Sequence, residues 1–251
     1  MLKTRIIPSL LLKDGRMVKS VRFGGYRDVG HPVTTAKIYD AQRADELIFL
    51  DISASREGRR TLFDYVRQVA EECFMPLGVG GGITSIEDIR ELLKSGADKV
   101  VINTAAVENP ELIRKAASRF GSSTIVVSID VKKTPDGKYE VFTRGATAAT
   151  GLDPVIWAKE AQNLGAGEIL ITSVDQEGTL AGYDTALIRS VAEAASIPVI
   201  AHGGAGKLSD FKEAIAAGAS AVAAASIFHF TDQSPIKTRK YLHDAGVSVR
   251  V

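Results

Sequence analysis

Two glycine-rich segments carry the residue types that bind anions. Pro76 to Val107 reads PLGVGGGITSIEDIRELLKSGADKVVINTAAV, and Pro198 to His229 reads PVIAHGGAGKLSDFKEAIAAGASAVAAASIFH. A constant offset of 122 lays Gly81 on Gly203, Gly82 on Gly204, Asp88 on Asp210 and Gly96 on Gly218, so the chain contains an internal repeat. Each copy reads as a short apolar strand after a proline, a glycine loop, an amphipathic helix and a second apolar strand. Glycines between a strand end and a helix start let backbone N–H groups approach an anion at the positive end of the helix dipole, which makes each copy a candidate phosphate cradle. The plainer alternative is that the glycines only make tight turns. One cradle combines Gly81 and Gly82 with Asn103 and Thr104, and the other combines Gly203 and Gly204 with Ala225 and Ser226. The hydroxyls of Thr104 and Ser226 suit phosphate oxygens and suit strand-end capping equally well. His202, directly before Gly203, is placed to add one more donor.

Proton chemistry points to Asp130, at the end of the apolar run VVSID. A carboxylate at the inner end of a barrel strand loses water and gains proton affinity, which suits a general acid or base. The alternative is a structural carboxylate paired with Lys13 or Lys132. The repeat partner of Asp130 is Leu11, which moves no proton, so Asp51 and Asp175 stand as substitutes. The four histidines show no metal-ligand spacing, and no metal site or cofactor is expected.

These residues need a scaffold that brings strand ends together. Strand-like runs recur at Arg5 to Leu11, Glu46 to Ile52, Pro76 to Gly80, Lys99 to Asn103, Thr124 to Asp130, Glu168 to Ser173, Pro198 to His202 and Ala221 to Ala225. Helical patterns lie between them, for example at Thr61 to Cys73, Ile86 to Ser95, Pro110 to Phe120, Pro154 to Leu164 and Leu208 to Ala217. Asn109 and Asp153, each before a proline, are expected helix N-caps. Eight strands alternating with helices predict one (β/α)8 barrel of the TIM type, built from two half-barrels near 1–123 and 124–251, with an open α/β sheet as the alternative. The named groups then gather at the C-terminal ends of the strands. Two long segments, Lys19 to Pro32 and Lys132 to Gly151, read as loops able to act as lids.

The 251 residues are 45% hydrophobic and 24% charged, enough for a large core. Lys plus Arg is 31 against 30 for Asp plus Glu, and a net charge of +1 gives no electrostatic case for nucleic acid or an anionic membrane. One cysteine, Cys73, excludes an internal disulfide. No apolar run reaches about 18 residues and none reads as a signal peptide, so a soluble, cytoplasmic protein is expected.

Along its whole length the chain resembles the cyclase subunit of imidazole glycerol phosphate synthase, of the histidine-biosynthesis barrel family. The motifs that carry the resemblance are RIIPSLLLKDGRMVK, FLDISAS, VGGGI, GADKVVINTAAVENP, VVSID, GAGEILITSVDQEGT, GYD and GGAGK. It implies a bisphosphorylated ribonucleotide held by two phosphate cradles, with ammonia delivered through the barrel from a glutaminase docked at the N-terminal face. It assigns phosphate binding to Gly82, Asn103, Thr104, Gly203, Gly204 and Ser226, and one catalytic aspartate to Asp130. The second catalytic aspartate of the family falls on Leu11. The family usually has Asp-Arg-Asp-Gly-Thr where this chain has Asp175-Gln176-Glu177-Gly178-Thr179, and a small hydroxyl where this chain has His202. The ammonia gate of the family maps onto Arg5, Glu46, Lys99 and Glu168, with Asp98 nearby. Four charges at strand starts are costly in a packed barrel unless mutually paired, so an ion-pair plug is the alternative to a gate.

The RIIPSLLLK opening is similar to paralogs encoded with surface-polysaccharide genes. That similarity implies an ammonia-conducting subunit that serves, with a glutaminase and a separate amidotransferase, acetamidino modification of a nucleotide sugar. This is the first functional expectation. The second is a histidine-pathway cyclase whose missing acid is supplied by Asp51 or Asp175, and the third is a non-catalytic scaffold that binds a phosphorylated ligand.

Overall fold

Short apolar strands that alternate with amphipathic helices can bury both faces only by pairing in parallel beneath those helices. The computed structural model, which describes residues 3–54 and 63–250, shows this arrangement. The strands are β1 (Arg5–Lys13), β2 (Arg16–Val21), β3 (Gly24–Gly30), β4 (Leu47–Asp51), β5 (Leu77–Gly80) and β6 (Lys99–Ile102), then β7 (Ile125–Lys133), β8 (Tyr139–Thr143), β9 (Ala148–Ala149), β10 (Glu168–Ser173), β11 (Val199–His202) and β12 (Ala221–Ala224). Eight of them, β1, β4, β5, β6, β7, β10, β11 and β12, pair in parallel in that order, and β12 returns to β1. The sheet is closed, as expected of a (β/α)8 barrel, and the open-sheet alternative is set aside.

Alternation along each strand sorts side chains into two cores. Ile7, Ile48, Val101, Val126, Leu170 and Ile200 point to the barrel axis and form one buried cluster. The other parity, including Ile6, Phe49, Val79 and Ile102, packs outward against the helices in a larger one. Buried apolar area at roughly 25 cal/mol per Å² makes these two clusters the main stabilising term.

The two segments read as lid loops are instead β-hairpins. β1 and β7 continue past their barrel neighbours, and their projecting backbone groups need partners. β2 supplies them to β1, pairing Leu11 with Val18, and β8 supplies them to β7, pairing Asp130 with Phe142. Glycines and charges disguised these strands. The β2–β3 turn consists of Arg22 and Phe23, with φ of 52° and 61°, the left-handed pair that a two-residue hairpin turn requires.

The helices keep their expected places at Phe63–Glu72, Ile86–Lys94, Glu111–Phe120, Pro154–Asn163 and Leu208–Ala216. Thr61 and Leu62, at the start of the first expected helix, lie outside the described residues. Asp153 caps its helix by accepting from Val155 and Ile156 N–H at 2.8 and 3.0 Å. Asn109 is not a side-chain cap: Pro110 holds the N-cap position with helical φ, and Asn109 terminates the short helix Thr104–Glu108. Cys73 lies one residue past the helix end and is buried. Asp88 and Asp210, matched by the repeat, do the same work in each copy. Asp88 accepts from Thr84 and Ser85 N–H, and Asp210 accepts from Gly206 and Lys207 N–H, so each fastens a glycine loop to its helix.

At the floor of the barrel four charges close on one another. Arg5 pairs with Glu46 at 2.5 Å and with Glu168 at 2.9 Å, while Lys99 pairs with the same two carboxylates at 2.9 and 3.1 Å. Burial alone would lower the proton affinity of Arg5, but the attraction of Glu46 and Glu168 outweighs it and raises the value. Asp98, beside Lys99, accepts the Leu77 N–H at 2.8 Å. Because each carboxylate serves two cations, removing one cation leaves buried negative charge short of compensation. Arg5→Met is therefore expected to cost about 3–5 kcal/mol in urea denaturation; a cost below about 1 kcal/mol would show that water already satisfies the ring.

Candidate functional site

The opposite end of the barrel is a cleft that draws its walls from many strands. Register explains its chemistry. Thr172 on β10 lies beside Asp130 on β7 and beside His202 on β11, so three polar residues form a row across neighbouring strands at one level. Leu11, Asp51, Ser128, Asn103 and Thr104 face the same cleft, and Phe23 and Tyr26 of the first hairpin complete its wall.

Asp130 is 8% exposed. Burial, then the negative charge of Glu177, pushes its carboxyl up to about 7, and hydrogen bonds from Thr172 and Asn103 oppose this. Neither lysine named as its structural partner forms an ion pair with it among the described residues, although the charge of Lys132 also opposes the rise. Lys13 pairs with Asp14, and Lys132 donates to the Ala146 carbonyl at 2.5 Å with its ammonium 4.7 Å from the Phe142 ring centre. A carboxyl poised near neutrality in a cleft is suited to give and take protons at physiological pH.

The two proposed substitutes for Leu11 separate. Asp51 lies in the cleft and accepts from Ser53 N–H, Ser53 O–H and Ala54 N–H at 3.1–3.3 Å. Asp175 does not line it: its carboxylate accepts the Lys133 N–H at 2.8 Å and secures the outer part of β7. Leu11 itself is 5% exposed and faces the cleft with Asp130.

The first cradle opens into the cleft. Gly81 has φ +104°, and a Cβ there would stand 2.1 Å from the Asp51 carbonyl oxygen, so glycine is required by the turn itself. Thr104 is partly engaged, its hydroxyl accepting the Arg144 N–H at 3.0 Å. The second cradle, Gly203, Gly204, Ala225 and Ser226, lines a separate and much smaller cavity together with Glu177 and His202. Its turn is equally tight, since a Cβ on Gly204 would meet the Gly182 carbonyl oxygen at 2.1 Å. Ser226 Oγ and Glu177 Oε2 are buried there without a hydrogen-bond partner among the described residues. His202 joins the two spaces. Burial, then Lys19, pushes its imidazole down to about 3, and its Nδ1 lies 3.2 Å from Thr172 Oγ1. At neutral pH the ring carries a single N–H and no charge.

Glu177 is among the groups the sequence places at the strand ends, and Lys19, Phe23 and Tyr26 fall in the segment read as a lid, but none of the four is singled out as a site residue from the sequence. Lys19 and Glu177 form an ion pair and are each 2% exposed, but 158 positions separate them. Nothing in the sequence joins Lys19 to Glu177, although Glu177 also departs from the family pattern.

A closed parallel barrel whose polar residues gather at the C-terminal strand ends belongs to the class of (β/α)8 barrel proteins. The chain matches the family model for histidine biosynthesis proteins over residues 5–234. It is 52% identical over 249 residues, 99% of each chain, to the imidazole glycerol phosphate synthase subunit HisF of Streptomyces griseus subsp. griseus. The chain belongs to the histidine biosynthesis protein family. This overturns the expectation of a subunit for acetamidino-sugar and polysaccharide synthesis. That expectation rested on the opening motif and Leu11, whereas the likeness to the HisF subunit runs the full length.

Asp130 yields a prediction of pH dependence. Its carboxyl holds a proton up to about pH 7 in the fold against 3.8 ordinarily, so the folded chain binds more protons between those values. Stability from this group therefore falls as pH rises from about 4 to 7. Asp130→Asn removes the penalty and is expected to stabilise the protein at pH 8 by on the order of a few kcal/mol, and not at pH 3. Denaturation midpoints at the two pH values check this; an equal effect at both would refute it.

Proposed function

We propose that the chain is a cyclase subunit of the imidazole glycerol phosphate synthase type, closing an imidazole ring on a bisphosphorylated ribonucleotide with ammonia as nitrogen source. The observation that carries this reading is 52% identity over 99% of both chains to a protein of that name. In this reading Asp130 is the proton-handling group. Gly81, Gly82, Asn103 and Thr104 take one phosphate, and Gly203, Gly204 and Ser226, with His202 at their edge, take the other. Asp51, in the same cleft, is the carboxylate that serves where Leu11 does not.

The same reading takes the chain as two half-barrels, about 1–123 and 124–251, each opening with a strand extended into a hairpin. A glutaminase partner docks at the N-terminal face and supplies ammonia past Arg5, Glu46, Lys99 and Glu168. The closed pairing of these four side chains supports both their role as a gate and a need for that gate to open. No helix among the described residues is long and apolar enough to cross a membrane.

The test is turnover of the histidine-pathway bisphosphate with excess ammonium, which bypasses the glutaminase. The parent chain is expected to turn over, Leu11→Asp to turn over faster, and Asp130→Asn and Asp51→Asn each to lose at least about 100-fold in kcat. A folded parent that is inert with ammonium, and also inert with a glutaminase and glutamine, would overturn the proposal.

A further inference from the structure

The buried ion pair between Lys19 and Glu177 has no sufficient explanation in stability. Lysine and glutamate are almost never fully buried unless paired, and apolar residues of similar size would often serve a fold as well or better. The pair does, however, lie among the contacts that join the β2–β3 hairpin to the loop after β10. Arg22 N–H donates to the Glu177 carbonyl at 2.8 Å, and Arg22 Nε donates to the Asp175 carbonyl at 3.0 Å. Gly178, at φ +75°, packs so closely that a Cβ would stand 2.3 Å from the Ser20 carbonyl oxygen. The hairpin tip held by these contacts is strained, because Arg22 and Phe23 both occupy the left-handed region without being glycine. Phe23, at that tip, forms wall of the cleft.

The pair also faces the reacting end of the barrel. Glu177 lines the second cavity with His202 and Ser226, and among the described residues only one of its carboxylate oxygens is engaged. We propose that Lys19 and Glu177 form a latch that seats the first hairpin over the mouth, with Glu177 the positioning residue through which that seating reaches Asp130. The inference rests on Asp130 being the proton-handling group of the proposed function.

The surroundings of Asp130 leave Glu177 as the variable charge. Asn103 from the end of β6 and Thr172 from β10 donate to it, Leu11 of β1 is apolar, and His202 of β11 is neutral. Asp51 of β4 is held by its own loop, and Lys132, whose charge lowers the proton affinity of Asp130, is fixed in place by the Ala146 carbonyl and the Phe142 ring. With the hairpin seated, Lys19 offsets only part of the charge of Glu177, which still raises the proton affinity of Asp130. When an incoming anion draws Lys19 away, Glu177 faces Asp130 uncompensated and its carboxyl grips the proton harder.

The test uses the full chain without turnover, so that it stands apart from the functional reading. Carbon-13 NMR of labelled aspartate, assigned with Asp130→Asn, gives the Asp130 midpoint, and hydrogen exchange at the Arg22 amide gives hairpin seating. Glu177→Gln is expected to lower the midpoint by about one pH unit and to speed Arg22 exchange at least about tenfold. The double variant Lys19→Met/Glu177→Gln, which leaves no unpaired buried charge, is expected to move both readouts the same way and carries the test if the single variant does not fold. An unchanged midpoint, or a midpoint that moves while Arg22 exchange does not, overturns the latch. Normal behaviour of both readouts in a chain that fails to turn over the bisphosphate would count against the functional reading alone.

Discussion

Closure of the parallel sheet is the constraint on which the rest of the structure depends. Once β12 pairs with β1, every second residue of eight strands is turned toward a single axis with no outlet to solvent along its length. The interior must then be organised by height. Charges collect at the strand starts, where Arg5, Glu46, Lys99 and Glu168 satisfy one another. Aliphatic side chains such as Ile7, Ile48 and Leu170 fill the middle. Asp130, Thr172 and His202 stand at the strand ends, where the register places them side by side. The same apolar middle layer that stabilises the barrel removes water from beneath Asp130, so the proton affinity of that carboxyl follows from the packing below it.

The barrel itself was legible because its strands are short apolar runs bounded by proline or glycine, and because a 122-residue repeat states the same unit twice. Asp130 was legible too, since a carboxylate that ends an apolar strand has few other places to be. What escaped notice depended on distance along the chain. Lys19 looks like an exposed loop lysine until Glu177 is brought to it, and Asp175 looks as available as Asp51 until the Lys133 N–H claims it. The hairpins were missed because Gly24, Gly25 and the neighbouring charges resemble loop composition, while the need for β2 arises from the unpaired edge of β1. Asn109 was misplaced because the residue before a proline was credited with capping, although Pro110 itself begins the turn.

Leu11 illustrates how local and global signals are to be weighed. A single apolar residue at a family aspartate position invited a reading in which the chemistry had changed. The likeness spread over 249 residues carries far more information than one position, and the cleft still contains a second carboxylate, Asp51, within the same walls as Asp130.

The charged floor has a thermal consequence. The cost of stripping water from ions falls as temperature rises, because their hydration carries a strongly unfavourable entropy, whereas the apolar contribution per unit area levels off. The ring of Arg5, Glu46, Lys99 and Glu168 therefore gains in relative weight on heating, and so does the buried Lys19–Glu177 pair at the other end. Warming should leave the apolar middle as the layer whose share declines, held between two charged ends.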